Sequence, residues 1–260
     1  MYENIVGTTN RSMNGQMTLD AASSHSLVSR GFAAGLAAGA SHWRPGLGAA
    51  VRHSDIFASA GEAGGAGLAL ALALDQADRE QTERPWLWVQ DKAARRLGGR
   101  PYRPGLPAAL RHRLIHVAAN CPEDAWFALE EGLRCRDLAF VVGEIAGNPR
   151  ALGLTASRRL SLAAEKHGIA LWLVRLDAAR DLGSARMRWE VRSAPSPRPR
   201  WNASAPGVPS WSAELFRAHT WQPGRWVLED SGAELSVRPL TGSGRADVEE
   251  PFESKNIRSA

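Results

Sequence analysis

The sequence predicts an α/β protein with a mostly parallel, twisted sheet that is covered by helices on both faces. Three continuous apolar runs have the composition of strands buried on both faces. These runs are Pro85–Gln90, Leu138–Val142 and Ile169–Val174. Segments with helical spacing of apolar residues alternate with the runs. These segments are Leu68–Gln81, Pro122–Arg134 and Thr155–His167. Strands that alternate with helices at this pace form parallel sheets through right-handed crossovers.

The chain of 260 residues divides into one core domain and two flanking segments. Residues 1–35 are rich in Ser, Asn, Gly and Thr and have no sustained period, so we predict a flexible N-terminal segment. Residues 243–260 are polar and charged, which predicts a flexible C-terminal tail. The core domain then spans residues 36–242, and its first strand lies at about 51–58.

The helix predicted at 122–134 has the clearest signals. Trp126, Leu129, Glu130 and Leu133 recur at helical spacing, and Pro122 suits a first turn. In the helix at 155–167, Thr155 is a candidate cap and Gly168 a candidate stop. A short strand is expected at 114–117. The basic segment 92–110 is expected to be mostly loop, with one helical turn at its start.

After residue 180 the pattern predicts an antiparallel end to the sheet. Residues 186–192 alternate, with the apolar side chains on one face of a half-exposed strand. A Pro- and Ser-rich mobile loop follows at 194–209. Residues 213–218 and 225–229 then form a hairpin around Gln222-Pro-Gly, and 235–240 forms one more edge strand.

Composition favours a cytoplasmic protein that contacts phosphate or acidic partners. The formal net charge is +5, and arginine provides nearly all of the positive charge. An arginine bias also follows from a GC-rich genome, so charge alone leaves contact with nucleic acid open. No apolar run reaches ~18 residues, and no secretion signal is visible, so no membrane span is expected. The two cysteines fit a reduced compartment and no disulfide framework.

The segment Gly61–Gly67 has the setting of a phosphate-binding loop, between a strand and a helix. If Gly65 is the last glycine of such a loop, Ala66 replaces the lysine that reaches the phosphates, and Gly67 replaces the hydroxyl that binds Mg²⁺. No other register supplies the lysine, because the chain has only three. These lysines are Lys92, Lys166 and Lys255. We therefore interpret Gly61, Gly64, Gly65, Ala66 and Gly67 as a vestigial phosphate loop, with no cofactor and no catalytic residues.

Two carboxylates follow predicted strands where an ATPase would hold metal and activate water. Gly143 occupies the position of the metal-binding aspartate, and Glu144 is shifted by one residue, which turns a side chain to the opposite face of a continuing strand. Gly143 and Glu144 are therefore a vestigial metal-strand end. Asp91 ends the preceding strand, and we expect it to cap a helix or to pair with an arginine.

The C-terminal third combines arginine and tryptophan, the side chains that interface centres favour. Arg186, Arg188 and Arg192 are expected on the exposed face of their strand. The full set of candidate contacts to a partner protein or DNA comprises Arg186, Arg188, Arg192, Arg198, Arg200, Trp201 and Trp211. Solvated polar faces without a partner are the alternative. Trp86, Trp88 and Trp172 lie in predicted buried strands and are expected in the core.

Several stretches resemble the ImuA family of bacterial mutagenesis accessory proteins. The most specific are Leu129-Glu-Glu-Gly-Leu-Arg-Cys-Arg-Asp-Leu-Ala-Phe-Val-Val-Gly-Glu-Ile145 and Leu154-Thr-Ala-Ser-Arg-Arg-Leu-Ser-Leu-Ala-Ala164. Supporting pieces are Trp88–Asp91, Gly99–Leu106, Ala170–Arg175 and Ala185–Trp189. The resemblance covers roughly residues 45–230. It implies a core like that of the RecA recombinase, with degenerate nucleotide-binding motifs and no catalytic residues.

The function that the resemblance implies is that of a non-catalytic adaptor in error-prone translesion DNA synthesis during the SOS response to DNA damage. The implied partners are an ImuB-like homologue of Y-family polymerases and an error-prone DNA polymerase III α-type subunit, with RecA and direct DNA contact as further expectations. Such a protein would join the nucleoid when DNA is damaged. Two alternatives stay open: a SulA-like cell-division inhibitor that binds the division GTPase, and a weak residual ATPase or DNA-binding RecA paralogue.

Overall fold

Nine strands form one sheet in the described part of the computed structural model, which comprises residues 43–45, 51–80, 82–150, 153–202, 204–232 and 234–240. The strands are β1 (His53–Ala58), β2 (Trp86–Gln90), β3 (Leu114–Ala118), β4 (Phe140–Ala146), β5 (Ala170–Leu176), β6 (Met187–Ser193), β7 (Ser210–Ala218), β8 (Gly224–Asp230) and β9 (Leu235–Pro239). Their order is β3-β2-β4-β5-β1-β6-β7-β8-β9. The pairs from β3 to β6 are parallel, and those from β6 to β9 are antiparallel.

Helices connect the consecutive parallel strands from β1 to β5, as the alternation of apolar runs and helical segments predicts. They are α1 (Gly64–Arg79), α2 (Lys92–Gly98), α3 (Ala108–Arg111), α4 (Pro122–Arg134) and α5 (Leu154–His167), with a 3₁₀ turn at Arg103–Gly105. The predicted mixed α/β class with a C-terminal antiparallel hairpin is therefore confirmed. The flanking segments predicted at 1–35 and 243–260 lie outside the described residues.

The two faces of the sheet carry two separate apolar cores. Trp88, Val142 and Trp172 belong to a core that also contains apolar residues of α1. Their chain neighbours Val141 and Leu171 belong to a second core, which contains residues of α4 and α5. This period-two division of the strands explains their continuous apolar sequences, because both faces of the sheet are covered. The core positions predicted for Trp86, Trp88 and Trp172 are confirmed.

The predicted helix ends are partly right. Helix α4 has the predicted bounds, and its residues Trp126, Leu129, Glu130 and Leu133 are buried. Gly168 ends α5 in the left-handed conformation, with φ of 73°. Thr155 does not cap α5, because the helix begins one residue earlier and Gly153 takes the cap position without a side-chain bond.

Two further elements are longer than the sequence suggests. Helix α1 begins at Gly64, so three glycines lie inside its first turn and not in the preceding loop. Helix α2 covers seven residues, where one turn was expected, because the side chain of Asp91 caps its N-terminus. Within the described residues, no helix combines the length and the apolar character needed to span a membrane.

Candidate functional site

The glycine-rich segment links the carboxyl end of β1 to the N-terminus of α1, next to β5. Gly65 lies directly over the sheet: a Cβ atom there would be 2.6 Å from the Cβ of Ala58 and 3.0 Å from Cγ1 of Val174. Only glycine allows this approach of helix to sheet. The predicted arrangement of strand, glycine loop and helix is therefore present, and close packing explains one of its glycines without any ligand.

Side chains of the protein accept hydrogen bonds from two backbone N–H groups at the start of the loop. Ala60 donates its N–H to Oδ1 of Asp177 at 2.9 Å, and Gly61 donates to Oγ of Ser59 at 3.1 Å. Asp177 follows β5 and holds an unusual φ of 49° for a residue other than glycine. In a phosphate-binding loop such N–H groups face the anion. Here a carboxylate and a hydroxyl already accept these hydrogen bonds.

The loop's own carboxylate, that of Glu62, ties the loop to the antiparallel half of the sheet. Oε2 of Glu62 accepts a hydrogen bond of 2.7 Å from the backbone N–H of Ser193, at the end of β6. Glu62 directly precedes Ala63, the residue that caps α1. A negative charge at that point compensates the positive end of the helix dipole.

A cavity of about 410 Å³ lies beside the loop, over the carboxyl ends of the parallel strands. Ligands of open α/β sheets bind at this edge. One wall is the glycine loop, and the opposite wall is α2 with the residues that follow it. The lining residues used below are Glu62, Trp88, Gln90, Leu97, Arg100, Tyr102 and Glu144.

Glu144 faces this cavity, which corrects the orientation expected from the sequence. The strand does continue past residue 144, so neighbouring side chains alternate. Gly143 is the residue that faces away: a Cβ atom there would be 2.9 Å from Leu173 and 3.0 Å from Leu129, in the core under α4. The analogy to a metal-binding aspartate predicts that position 143 faces the site, whereas in the sheet position 144 does.

Glu144 is buried and held by two donors. Trp88 Nε1 donates to Oε2 of Glu144 at 3.1 Å, and Gln90 Nε2 donates to the same oxygen at 2.5 Å. Gln90 also donates to the carbonyl of Gly99 and contacts His116 Nε2 through its Oε1. Burial raises the pKa of Glu144 above its usual value, although the two hydrogen bonds oppose this shift.

Asp91 has the structural role that the sequence indicated. Its Oδ1 accepts a hydrogen bond of 2.6 Å from the N–H of Ala94 and so caps α2. Burial raises the pKa of Asp91, and the backbone hydrogen bonds act in the opposite direction. A carboxylate held by a helix terminus is poorly placed to act as a general base on a ligand in the cavity.

Arg188 is buried, in contrast to its predicted place on the exposed face of β6. Its Nε lies 3.3 Å from Oδ2 of Asp55, and both side chains are almost fully enclosed. The guanidinium carbon lies 5.0 Å from the ring centre of Phe57 and 5.4 Å from that of Phe216. Desolvation lowers the pKa of Arg188, and Asp55 opposes that shift. Both faces of β6 are therefore buried at residue 188, whereas Glu190 and Arg192, farther along the same face, are increasingly exposed.

A buried polar cluster surrounds Asp55 and was missed in the sequence. His53 Nε2 lies 3.3 Å from Oδ1 of Asp55, and His53 Nδ1 lies 2.7 Å from Oγ of Ser161 on α5. The available signal was a charged residue within an apolar strand, because a buried carboxylate requires a partner. Arg188 becomes a partner of Asp55 through the pairing of β1 with β6, which local sequence does not reveal.

Trp211 is also a core residue and not a surface contact. It is 6% exposed and belongs to the core that contains residues of α1. A Cβ atom on Gly67 would lie 3.1 Å from both Cζ2 and Nε1 of its indole. Glycine at position 67 therefore has a packing reason that is independent of nucleotide binding.

The other predicted contact residues do lie at the surface. Arg186 pairs with Glu165 on α5 at 2.7 Å, and Arg192 lies 3.5 Å from Glu190 with its side chain 76% exposed. Arg198 and Arg200 are exposed in the segment 194–209, which has no helix or strand in its described residues. Trp201 in the same segment is 81% exposed. Their contact with a partner stays a prediction.

The fold and this site define an α/β protein whose parallel sheet carries a glycine-rich loop and an acid-lined cavity at its carboxyl edge. No model of a known protein family matches the chain. The chain is similar to Protein ImuA from two strains of Caulobacter vibrioides, NA1000/CB15N and ATCC 19089/CB 15, with 34% identity over 146 residues. The match covers 52% of this chain and 57% of each relative, so the chain spans about half the length of the curated relatives it matches. It supports membership in the ImuA family, as the sequence resemblance predicted.

Proposed function

We propose that the protein is a non-catalytic adaptor in damage-inducible, error-prone translesion DNA synthesis. The observation that carries the proposal is the 34% identity to ImuA proteins over 146 residues. The adaptor works with an ImuB-like homologue of Y-family polymerases and, through it, with an error-prone DNA polymerase III α-type subunit. It acts in the cytoplasm and associates with the nucleoid, where it also meets RecA, when DNA is damaged.

The chemistry of the glycine loop supports a role without ATP hydrolysis. Phosphoryl transfer requires a cation on the β- and γ-phosphates and a held Mg²⁺. Position 66 offers a methyl group, and Glu62 and Glu144 place two carboxyl groups at the cavity. Bound triphosphate would meet these acids, and Asp177 already accepts the N–H of Ala60 at the start of the loop. Electrostatics therefore disfavour an anionic ligand at this edge of the sheet.

The test is a deletion and complementation experiment in the organism of origin. Deletion of the gene should abolish the increase in mutation frequency after ultraviolet irradiation, and the wild-type gene should restore this increase. The Ala66→Gly variant, which cannot restore a phosphate contact, should complement fully. Affinity purification of the tagged chain should retain the ImuB-like protein after damage. Unchanged damage-induced mutagenesis in the deletion strain would refute the proposed function.

A further inference from the structure

The cavity beside the glycine loop contains an acid with an unused acceptor. Both donors that hold Glu144, Trp88 Nε1 and Gln90 Nε2, bind the same oxygen, Oε2. Among the described residues no hydrogen bond reaches the other oxygen, Oε1, and this atom is not among the fully buried polar atoms that lack a partner. Glu144 as a whole is only 5% exposed. The structure thus holds a fixed carboxyl group with one oxygen free at the cavity.

The surroundings of this oxygen suit a donor better than an anion. Glu62 adds a second carboxylate to the lining, and Asp177 occupies the N–H of Ala60. The positive end of α1 is compensated by these acids. Arg100 is the one basic residue that lines the cavity, and it lies exposed among the residues after α2. A ligand with positive charge would contact the carboxyl groups of Glu144 and Glu62 and leave the exposed Arg100 at the rim.

Beside Arg100, the rim of the cavity has two uncovered side chains with apolar surface. Leu97 is 52% exposed and Tyr102 is 74% exposed, and both line the cavity. Long basic side chains pack an apolar stem along such surfaces while their charged end finds an acceptor. Aromatic rings such as that of Tyr102 also favour a nearby guanidinium.

We propose that this cavity receives a basic side chain, arginine foremost, from a partner protein. The guanidinium donates hydrogen bonds to Oε1 of Glu144, and the aliphatic stem covers Leu97 and Tyr102. The partner contact at this edge rests on the proposed adaptor function, whereas the preference of the cavity for a cation does not.

The test uses the intact chain and a small probe, N-acetyl-arginine amide, with the neutral isostere N-acetyl-citrulline amide as its control. The indole N–H of Trp88 reports on the site directly, because it binds Glu144. Its signal in a ¹H–¹⁵N spectrum is assigned with a Trp88→Phe variant. We expect a saturable shift of this signal with the arginine probe and none with the citrulline probe.

Two matched variants locate the effect. Glu144→Gln keeps the shape and one acceptor but removes the charge, and it should lower the affinity for the arginine probe at least tenfold. Glu131→Gln removes an acid that is half exposed on α4 and does not line the cavity, and it should leave the affinity unchanged. Both variants are first compared with the parent by circular dichroism and thermal melting.

The outcomes separate this inference from the proposed function. The inference is overturned if the arginine probe gives no saturable shift, if citrulline binds equally well, or if ATP or pyrophosphate binds instead. It is also overturned if Glu144→Gln leaves the affinity for the ImuB-like protein unchanged. In each of these cases damage-induced mutagenesis in cells still decides the adaptor function independently.

Discussion

Gly67 lies against the indole of Trp211, and this contact connects the first turn of α1 to the antiparallel half of the sheet. A Cβ atom at Gly67 would be 3.1 Å from the ring, closer than side chains ordinarily approach. Trp211 is buried at the start of β7. A side chain at position 67, such as the hydroxyl residue that binds Mg²⁺ in a phosphate loop, would therefore require the indole to shift by a few tenths of an ångström.

Replacing Gly67 by threonine, the residue of an active phosphate loop, should destabilise the protein. Overpacking against Trp211 is expected to lower the free energy of unfolding by about 1–3 kcal/mol. Urea titration followed by circular dichroism measures the change. A double variant with Trp211→Leu should show a smaller cost for the threonine than the single variant does. Equal costs in the two backgrounds would contradict the contact.

The pair of Asp55 and Arg188 predicts a large effect on stability. Removal of one partner leaves an uncompensated buried charge, so Arg188→Ala is expected to lower the free energy of unfolding by about 3–5 kcal/mol. Arg192→Ala on the same strand removes a side chain that is 76% exposed, and it should change stability by less than about 0.5 kcal/mol. Chemical denaturation of the two variants gives the comparison. Similar small effects for both would show that Arg188 is not buried in solution.

The sequence predicts those features that depend on local pattern. The bounds of α4 follow from its apolar spacing and Pro122, and the end of α5 follows from Gly168. The sides of β6 could not be assigned, because Arg188 is buried only through pairing of β6 with β1 and contact with Phe216 on β7. The orientation of Glu144 required the register of β4 against β2, which also brings Gln90 beside it. Long-range strand pairing thus determines which side chains meet at the site, while local pattern determines the bounds of the helices.

Stability should depend on pH through Glu144. Its pKa is raised in the folded protein, so the folded state binds a proton more tightly than the unfolded state. The cost of its ionisation is absent below the unfolded pKa of about 4.5, and it appears as the pH rises through the folded pKa. Glu144→Gln should therefore gain stability relative to the parent as the pH increases from about 4.5 to 8.

The difference between parent and variant reports on Glu144 together with its electrostatic coupling to Asp91. Asp91 also has a raised pKa and His116 a lowered one, but both are present in the two proteins. Urea titrations at several pH values measure the difference in unfolding free energy. A difference that is independent of pH, or that favours the parent more as the pH rises, would contradict a raised pKa for Glu144.

The purified protein should show no ATP hydrolysis above background. Ala66→Lys should not restore it, because the hydroxyl and the metal-binding aspartate of an ATPase are still missing at Gly67 and Gly143. Phosphate release with ATP and Mg²⁺ measures turnover, and thermal melting with and without nucleotide measures binding. Asp177→Ala frees the N–H of Ala60, so this variant serves as a second test of nucleotide binding and turnover at the loop. ATPase activity that co-elutes with the wild-type protein through several columns would refute this prediction.

The exposed segment around Trp201 should carry a contact to the partner protein or to DNA. Trp201 is 81% exposed, and Arg198, Arg200 and Arg192 lie exposed near it in the sequence. Aromatic and arginine side chains dominate binding energy at interface centres, so Trp201→Ala should weaken binding by about 1–2 kcal/mol. Phe127→Ala on α4 removes an aromatic side chain that is 66% exposed elsewhere, and it provides the matched control.

Salt dependence distinguishes the two classes of partner. Contacts of arginine with a DNA backbone release counterions, so affinity for single-stranded DNA should fall steeply with salt, and Arg198→Ala/Arg200→Ala should reduce that slope by about 1–2. An apolar contact of Trp201 with the ImuB-like protein should change little with salt. Pull-downs and fluorescence anisotropy at several salt concentrations measure both. If the variants bind the partner and DNA as the parent does, the contact lies elsewhere, and the basic segment 95–113 becomes the next surface to mutate, because it holds Arg96, Arg100 and Arg103.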